Sequence, residues 1–237
     1  PYLSWIRFSI DSASPEMYSD IHGTNNKDFD RVLENIERIA KIKRRNNLQT
    51  TIGTQFLLIP QNVDRVVQFT KLMRDAGADN VQIKPYSQHP GSKNQFSINY
   101  EDYSHLESEL NGFEEGNFRV LFRKGTMQRL KEKAKYGECY GLPFFSLIDA
   151  RGNVLPCNIF YDMPEFYYGN LNYSLFSEIW KGERRKEVLE DLRKKGVKDC
   201  RECCRLDASN RYLEGVKSGR IKLEMPKGPK PEHVNFF

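Results

Sequence analysis

Four of the five cysteines in this chain of 237 residues fall into one spaced pattern: Cys139, Gly152 and Cys157, then a long gap, then Cys200 and Cys203. The arrangement reads C-x12-G-x4-C followed by C-x-x-C. A glycine shortly before the second cysteine fits a tight turn, on which two extended segments fold back and carry distant thiolates to one place. A structural zinc site and an iron–sulfur cluster both accept four thiolates, and the spacing does not choose between them. A lone C-x-x-C is common, and a buried free cysteine behaves as a small hydrophobe. Thioredoxin-like redox chemistry would need a βαβ unit around Cys200 and Cys203, and none frames them. Metal ligation by Cys139, Cys157, Cys200 and Cys203 is therefore the expectation. Cys204 adjoins Cys203, and neighbouring cysteines rarely bind one ion with both sulfurs, so Cys203 ranks ahead; Cys204 is left as a spare, partly buried thiol, a group behind the ligands, or the fourth ligand itself.

A length of 237 residues, 38% hydrophobic and 12% aromatic, suits one large domain or one domain with a smaller appendage. No apolar run approaches the roughly 20 residues that cross a bilayer, and no signal peptide opens the chain. A cytoplasmic protein with reduced thiols and no membrane contact is expected. The net charge of +5 is mild and its basic residues are spread over helix faces, so no nucleic-acid partner is expected.

The first 90 residues repeat a strand, loop, helix order, the mark of parallel α/β architecture. Trp5 to Asp11 alternates like a strand, and Ser14-Pro15-Glu16 opens a short helix with Ser14 as cap. Asp28 to Arg45 places Phe29, Val32, Leu33, Ile36, Ile39, Ala40 and Ile42 largely on one helical face. Thr50 to Ile59 reads as the next strand, Val63 to Ala76 as a helix stopped by Gly77, and Asn80 to Lys84 as a strand closing at Pro85. In such folds ligands sit at the carboxyl ends of the strands. The polar residues there are Ser9, Asp11, Thr54, Gln55, Lys84 and Tyr86. The segment from Ser87 to Asn99 reads as a loop. Helices are expected over Tyr100–Leu110, Thr126–Lys135, Leu175–Trp180, Glu183–Lys194 and Asp207–Lys217, with a hairpin around Asp149 to Asn153.

Residues 5 to 23, which carry Ser9-Ile10-Asp11 and end in His22-Gly23, resemble the fourth strand and following turn of the radical S-adenosylmethionine (SAM) enzymes. The second half resembles the auxiliary-cluster extension called SPASM, or its shorter relative called twitch. Cys139 through Cys157 matches its opening hairpin, Tyr168-Gly169-Asn170-Leu171 and Ser177-Glu178-Ile179-Trp180 its middle, and Cys200 with Cys203 its close. The family's C-x3-C-x2-C loop, which holds the SAM-cleaving cluster, is absent from the 237 residues, so half of the barrel is expected upstream.

The resemblance implies a partial (β/α) TIM-like barrel over residues 1–98, connecting helices over 99–136 and a small α+β cluster domain with tail over 137–237. It implies one auxiliary 4Fe-4S cluster here, and S-adenosylmethionine with a second 4Fe-4S cluster in the full-length protein. Ser9, Asp11, Gln55 and Lys84 are the expected cofactor-binding residues. The implied reaction is hydrogen abstraction by a 5'-deoxyadenosyl radical, with the auxiliary cluster accepting an electron, as in sugar or aminocyclitol dehydrogenases. The alternatives are a peptide-modifying maturase and a non-catalytic, zinc-stabilised binding module. A reductant such as flavodoxin or ferredoxin, and a small-molecule or peptide substrate, are the implied partners. His22 reads as a turn residue, and His89 and His233 have no visible partner.

Overall fold

The computed structural model describes residues 2–201 and 204–223. The chain divides into two compact units, Pro1–Lys133 and Ala134–Phe237.

In the first unit, β1 (Trp5–Ser9) leads into α1 (Pro15–His22). Ser14 Oγ accepts the Met17 N–H at 3.3 Å, and Pro15 takes the first helical turn, where no intrahelical donor is lost. Next comes α2 (Lys27–Arg45), whose 3.6-residue period buries Phe29, Ile36 and Ala40. Asp28 and Asp30 in its first turn, and Lys43 to Arg45 in its last, complement the helix dipole. Ile42, expected on the packed face, lies 44% exposed near the helix end.

Then follow β2 (Thr51–Leu58), a single 3-10 turn at Val63–Arg65, α3 (Val66–Asp75) and β3 (Asn80–Pro85). The segment after β3 forms no helix or strand before a 3-10 turn at Tyr100–Tyr103. Buried Tyr100 anchors it, since its hydroxyl accepts the Tyr86 N–H at 2.7 Å and donates to Leu58 O at 2.9 Å. The unit ends with α4 (Leu106–Asn111), β4 (Arg119–Phe122) and α5 (Lys124–Arg129). The last helix is shorter than the expected span to Lys135. Strand β4 was not expected at all: four residues with Arg119 exposed carry little pattern, and pairing with β3 gives them their place.

The four strands form one parallel sheet in the order β1-β2-β3-β4. Period-two alternation turns Ile52, Thr54, Phe56 and Leu58 to the core, with Val81 and Ile83 beside them. α3 packs on β2 and β3, and the rings of Phe56 and Phe69 lie 4.7 Å apart, both wholly buried. Burial of one such side chain stabilises the fold by about 2–3 kcal/mol. Asp79 pins the sheet's amino end: its carboxylate takes Lys43 Nζ at 2.6 Å and the Ile52 N–H at 2.6 Å.

The second unit holds a small antiparallel sheet, β5 (Leu147–Ile148), β6 (Asn153–Leu155) and β7 (Gly169–Asn170), in that order. Three helices follow: α6 (Phe176–Lys181), α7 (Glu183–Lys195) and α8 (Asp207–Lys217). Their common core is Leu142, Val154, Tyr168, Ile179, Val188 and Leu192. Among the described residues no helix is long and apolar enough to cross a membrane.

Candidate functional site

Parallel register puts Ser9 opposite Gln55, and Leu57 opposite Lys84. Ser9, Gln55 and Lys84 therefore share the sheet face opposite Phe56. They are joined there: Gln55 Nε2 donates to Ser9 Oγ at 3.3 Å, and Lys84 Nζ donates to Gln55 Oε1 at 3.1 Å. Arg7 and Gln82, which the sequence did not single out, extend the polar face through a 3.4 Å hydrogen bond.

Asp11 does something different. Its backbone is left-handed at φ 57, a conformation Asp tolerates better than most residues. Its Oδ1 accepts the Leu57 N–H at 2.6 Å, and its carbonyl accepts Asn62 Nδ2 at 2.8 Å. Burial pushes its carboxyl above the usual range, against the pull of the Leu57 hydrogen bond, His22 and Lys84. Asp11 lines an open cleft of about 730 Å³ at the carboxyl ends of the strands, with His22, Leu57, Arg65, Tyr86 and Phe96. His22 is the last residue of α1 rather than part of the turn, and its Nε2 contacts Ile10 O at 2.7 Å.

In the second unit the Gly152 turn does what its position in the motif asks. Gly152 has φ 82, and a Cβ there would lie 3.0 Å from Asn172 Nδ2 and 3.2 Å from Asn170 Oδ1. Both asparagines donate to Arg151 O, at 3.0 and 2.9 Å, while Asp149 accepts the N–H groups of Arg151 and Asn153. Hydrogen bonds, the Asn153 side chain first, hold the Asp149 carboxyl below its usual range. This braced turn ends in β6, which delivers Cys157 to the edge of the core beside Cys139.

Cys200 and Cys204 come from the segment between α7 and α8. Cys203 lies outside the described residues. Cys139, Cys157, Cys200 and Cys204 lie within electrostatic reach of one another in every pairing. Burial raises the Cys139 thiol and pushes Cys157 up to about 11. The hydrogen bond between Cys200 and Cys204 lowers the Cys200 thiol and raises that of Cys204. Among the described residues no three His, Cys, Asp or Glu side chains are grouped as ligands of a single ion.

Two further residues surround the thiols. Asn210, from α8, is 1% exposed and donates from Nδ2 to Cys139 Sγ at 3.3 Å. Tyr168 is 3% exposed, lies within electrostatic reach of Cys157 and Cys139, and its hydroxyl has no hydrogen-bond partner among the described residues. The sequence named Tyr168 only as part of a motif and missed Asn210. The available signal was a pair of polar residues, Asp207 and Asn210, one turn apart on the buried face of an amphipathic helix.

This environment fits an iron–sulfur cluster. Soft thiol donors converge, burial makes several free thiolates together unfavourable without a cation, and an orphaned hydroxyl sits beside them.

Residues 122–204 match the family model of SPASM, an iron-sulfur cluster-binding domain. A search of curated proteins returns no match. Among solved structures, SuiB of Streptococcus suis aligns with 76% of this chain at 12% identity and a TM-score of 0.54. SuiB bound to S-adenosylmethionine aligns with 78% at 12% identity and a TM-score of 0.56, and SuiB bound to precursor peptide SuiA with 77% at 12% and 0.53. The chain spans 43–44% of the length of SuiB. Residues 122–204 thus carry the likeness to the SPASM iron-sulfur cluster-binding domain, and the fold of the chain is similar to that of SuiB.

Proposed function

We propose that this chain is part of a cytoplasmic radical SAM oxidoreductase, with a partial (β/α) barrel and one auxiliary 4Fe-4S cluster. The observation that carries the proposal is that Cys139 and Cys157 pack on one apolar core with Cys200 and Cys204 within electrostatic reach of both. Cys139, Cys157 and Cys200 supply three thiolates, and the fourth comes from Cys203 or Cys204.

SAM and its reducing cluster, bound in the whole enzyme, would supply radical hydrogen abstraction, and the auxiliary cluster that Cys139, Cys157, Cys200 and Cys203 or Cys204 would hold would supply an electron acceptor. This chain's own residues bind and orient. Ser9, Gln55 and Lys84 present hydroxyl, amide and ammonium groups that suit the ribose and carboxylate of SAM. Asp11 fixes the turn that follows β1, through Leu57 and Asn62, and lines the cleft. Burial of Cys139 and Cys157 against Leu142 and Val154 limits water at the thiolates. A flavodoxin or ferredoxin is the proposed reductant.

The proposed reaction class is dehydrogenation of a sugar or aminocyclitol. Peptide modification is the second reading, and its support is the similarity in fold to SuiB solved with a precursor peptide.

The test is anaerobic reconstitution of the chain with iron and sulfide. About four irons and four sulfides per chain, with absorbance near ~400 nm that Cys139→Ala abolishes, are expected. Cys203→Ser and Cys204→Ser then assign the fourth ligand by which of them loses iron. Stoichiometric zinc without sulfide would sink the electron-transfer role. With the upstream half present, deuterium transfer into 5'-deoxyadenosine from labelled sugars or from labelled peptides decides the substrate class.

A further inference from the structure

A buried amide must place two donors and an acceptor, and Asn210 places them all. Its Oδ1 accepts the Gly141 N–H at 2.9 Å, which orients the group so that Nδ2 faces Cys139 Sγ at 3.3 Å. It also hydrogen-bonds the Tyr136 hydroxyl, which donates to Asp207 Oδ1 at 3.0 Å, and Arg211 holds the other oxygen of Asp207 at 2.9 Å. The chain of side chains Arg211, Asp207, Tyr136 and Asn210 therefore ends on a thiol sulfur.

Gly141 sets the amide's orientation whatever the protonation state of the thiol. The N–H thus stays aimed at the sulfur when the sulfur becomes a thiolate. Packing alone does not call for an amide there, since an apolar side chain of the same shape would avoid desolvating it. The Tyr168 hydroxyl is the complementary case, a buried donor beside Cys157 and Cys139 with no acceptor of its own among the described residues. Donors to the sulfurs of a cluster stabilise its more negative reduced form and raise its potential.

We propose that Asn210 and Tyr168 are positioning residues that hydrogen-bond the sulfurs of the cluster and set its reduction potential upward. The proposal rests on the reading of this unit as a cluster domain. It assigns to these residues a role in tuning electron acceptance, separate from ligation.

The full chain, reconstituted anaerobically, is titrated for its midpoint potential by paramagnetic resonance alongside Asn210→Leu and Tyr168→Phe. Both variants are expected to keep their iron and sulfide and to titrate below the wild type by more than the spread of replicate titrations. Asn210→Asp, which adds a negative charge, is expected to titrate lower than Asn210→Leu. Unchanged potentials at full loading would overturn the proposal and leave the cluster standing. Should Asn210→Leu fail to load, Tyr168→Phe decides, because it removes one oxygen and keeps the ring packed; an unchanged potential there overturns the proposal. Zinc without sulfide in the wild type would overturn the proposal and the cluster reading together.

Discussion

Gly152→Ala measures how much the turn before Cys157 depends on having no side chain. The backbone at φ 82 is left-handed, which costs an L-residue about 1–2 kcal/mol. The added methyl would stand 3.0 Å from Asn172 Nδ2 and 3.2 Å from Asn170 Oδ1, so both side chains would have to give by a few tenths of an ångström. Those amides hold Arg151 O, Asn153 Oδ1 and the Asn172 N–H. Loss of one such bond costs about 1 kcal/mol, giving a total near 2–3 kcal/mol. For a unit of roughly a hundred residues this lowers the melting temperature by about 10–20 °C. Urea unfolding followed by Trp180 fluorescence, in a Trp5→Phe background, reports the second unit alone. Gly125→Ala is the control of opposite sign: Gly125 is exposed within α5, and its nearest neighbour would be Arg129 Nη1 at 3.6 Å. It should stabilise the first unit by about 0.5–1 kcal/mol, read by Trp5 in a Trp180→Phe background. A Gly152→Ala protein with the wild-type midpoint would refute the strain argument.

Asp11→Ala removes the acceptor for Leu57 N–H and places alanine at φ 57, so a loss of about 2–3 kcal/mol is expected in urea unfolding. Asp11→Asn keeps the acceptor and the tolerance of left-handed backbone, and should be near neutral at neutral pH. The folded pKa of Asp11 is raised above 3.8 by burial, so the folded chain holds this proton more tightly than the unfolded chain. Its contribution to stability is present below 3.8 and is lost as pH rises through the folded value, a slope that stability measured against pH should show in the wild type and not in Asp11→Asn. Asp79→Ala strands the Ile52 N–H and leaves half-buried Lys43 unpaired; we expect about 2–4 kcal/mol of destabilisation, and a change under 1 kcal/mol would contradict the role given to this carboxylate. Cys200→Ala, or chelation of the loaded chain, should open residues 139–204 to protease before residues 1–133, and unchanged cleavage would count against metal holding that unit closed.

Strong periodicity made much of the first unit legible. Phe29, Ile36 and Ala40 mark one face of α2, and Ser14-Pro15 marks the start of α1. The grouping of Ser9, Gln55 and Lys84 followed from strand alternation, once their strands were taken as parallel neighbours. Strands β4 and β7 carried too few residues for a pattern, and their pairing partners define them. The thiol spacing pointed to one centre, and Cys139, Cys157 and Cys200 come together. Cys203, ranked ahead of Cys204 by the spacing, lies outside the described residues. Asn210 and Tyr168 were illegible for another reason: their partners are fixed by packing between segments far apart in sequence, such as Cys139 and Asn210, separated by 71 positions.

The clasp that presents Asn210 also orders events in time. Tyr136 meets Asp207, Cys139 meets Asn210, Tyr140 meets Glu214 at 2.6 Å and Lys217 meets Glu138 at 2.7 Å, across 71 to 79 positions of chain. The beginning of the second unit is thus closed by its end. During synthesis, residues 134–204 leave the ribosome with every thiol already made but with α8 still missing, so Cys139 lacks the wall that shields it. Until Lys217 has emerged the thiols lack that wall, so a shielded centre can form only after α8 has been made.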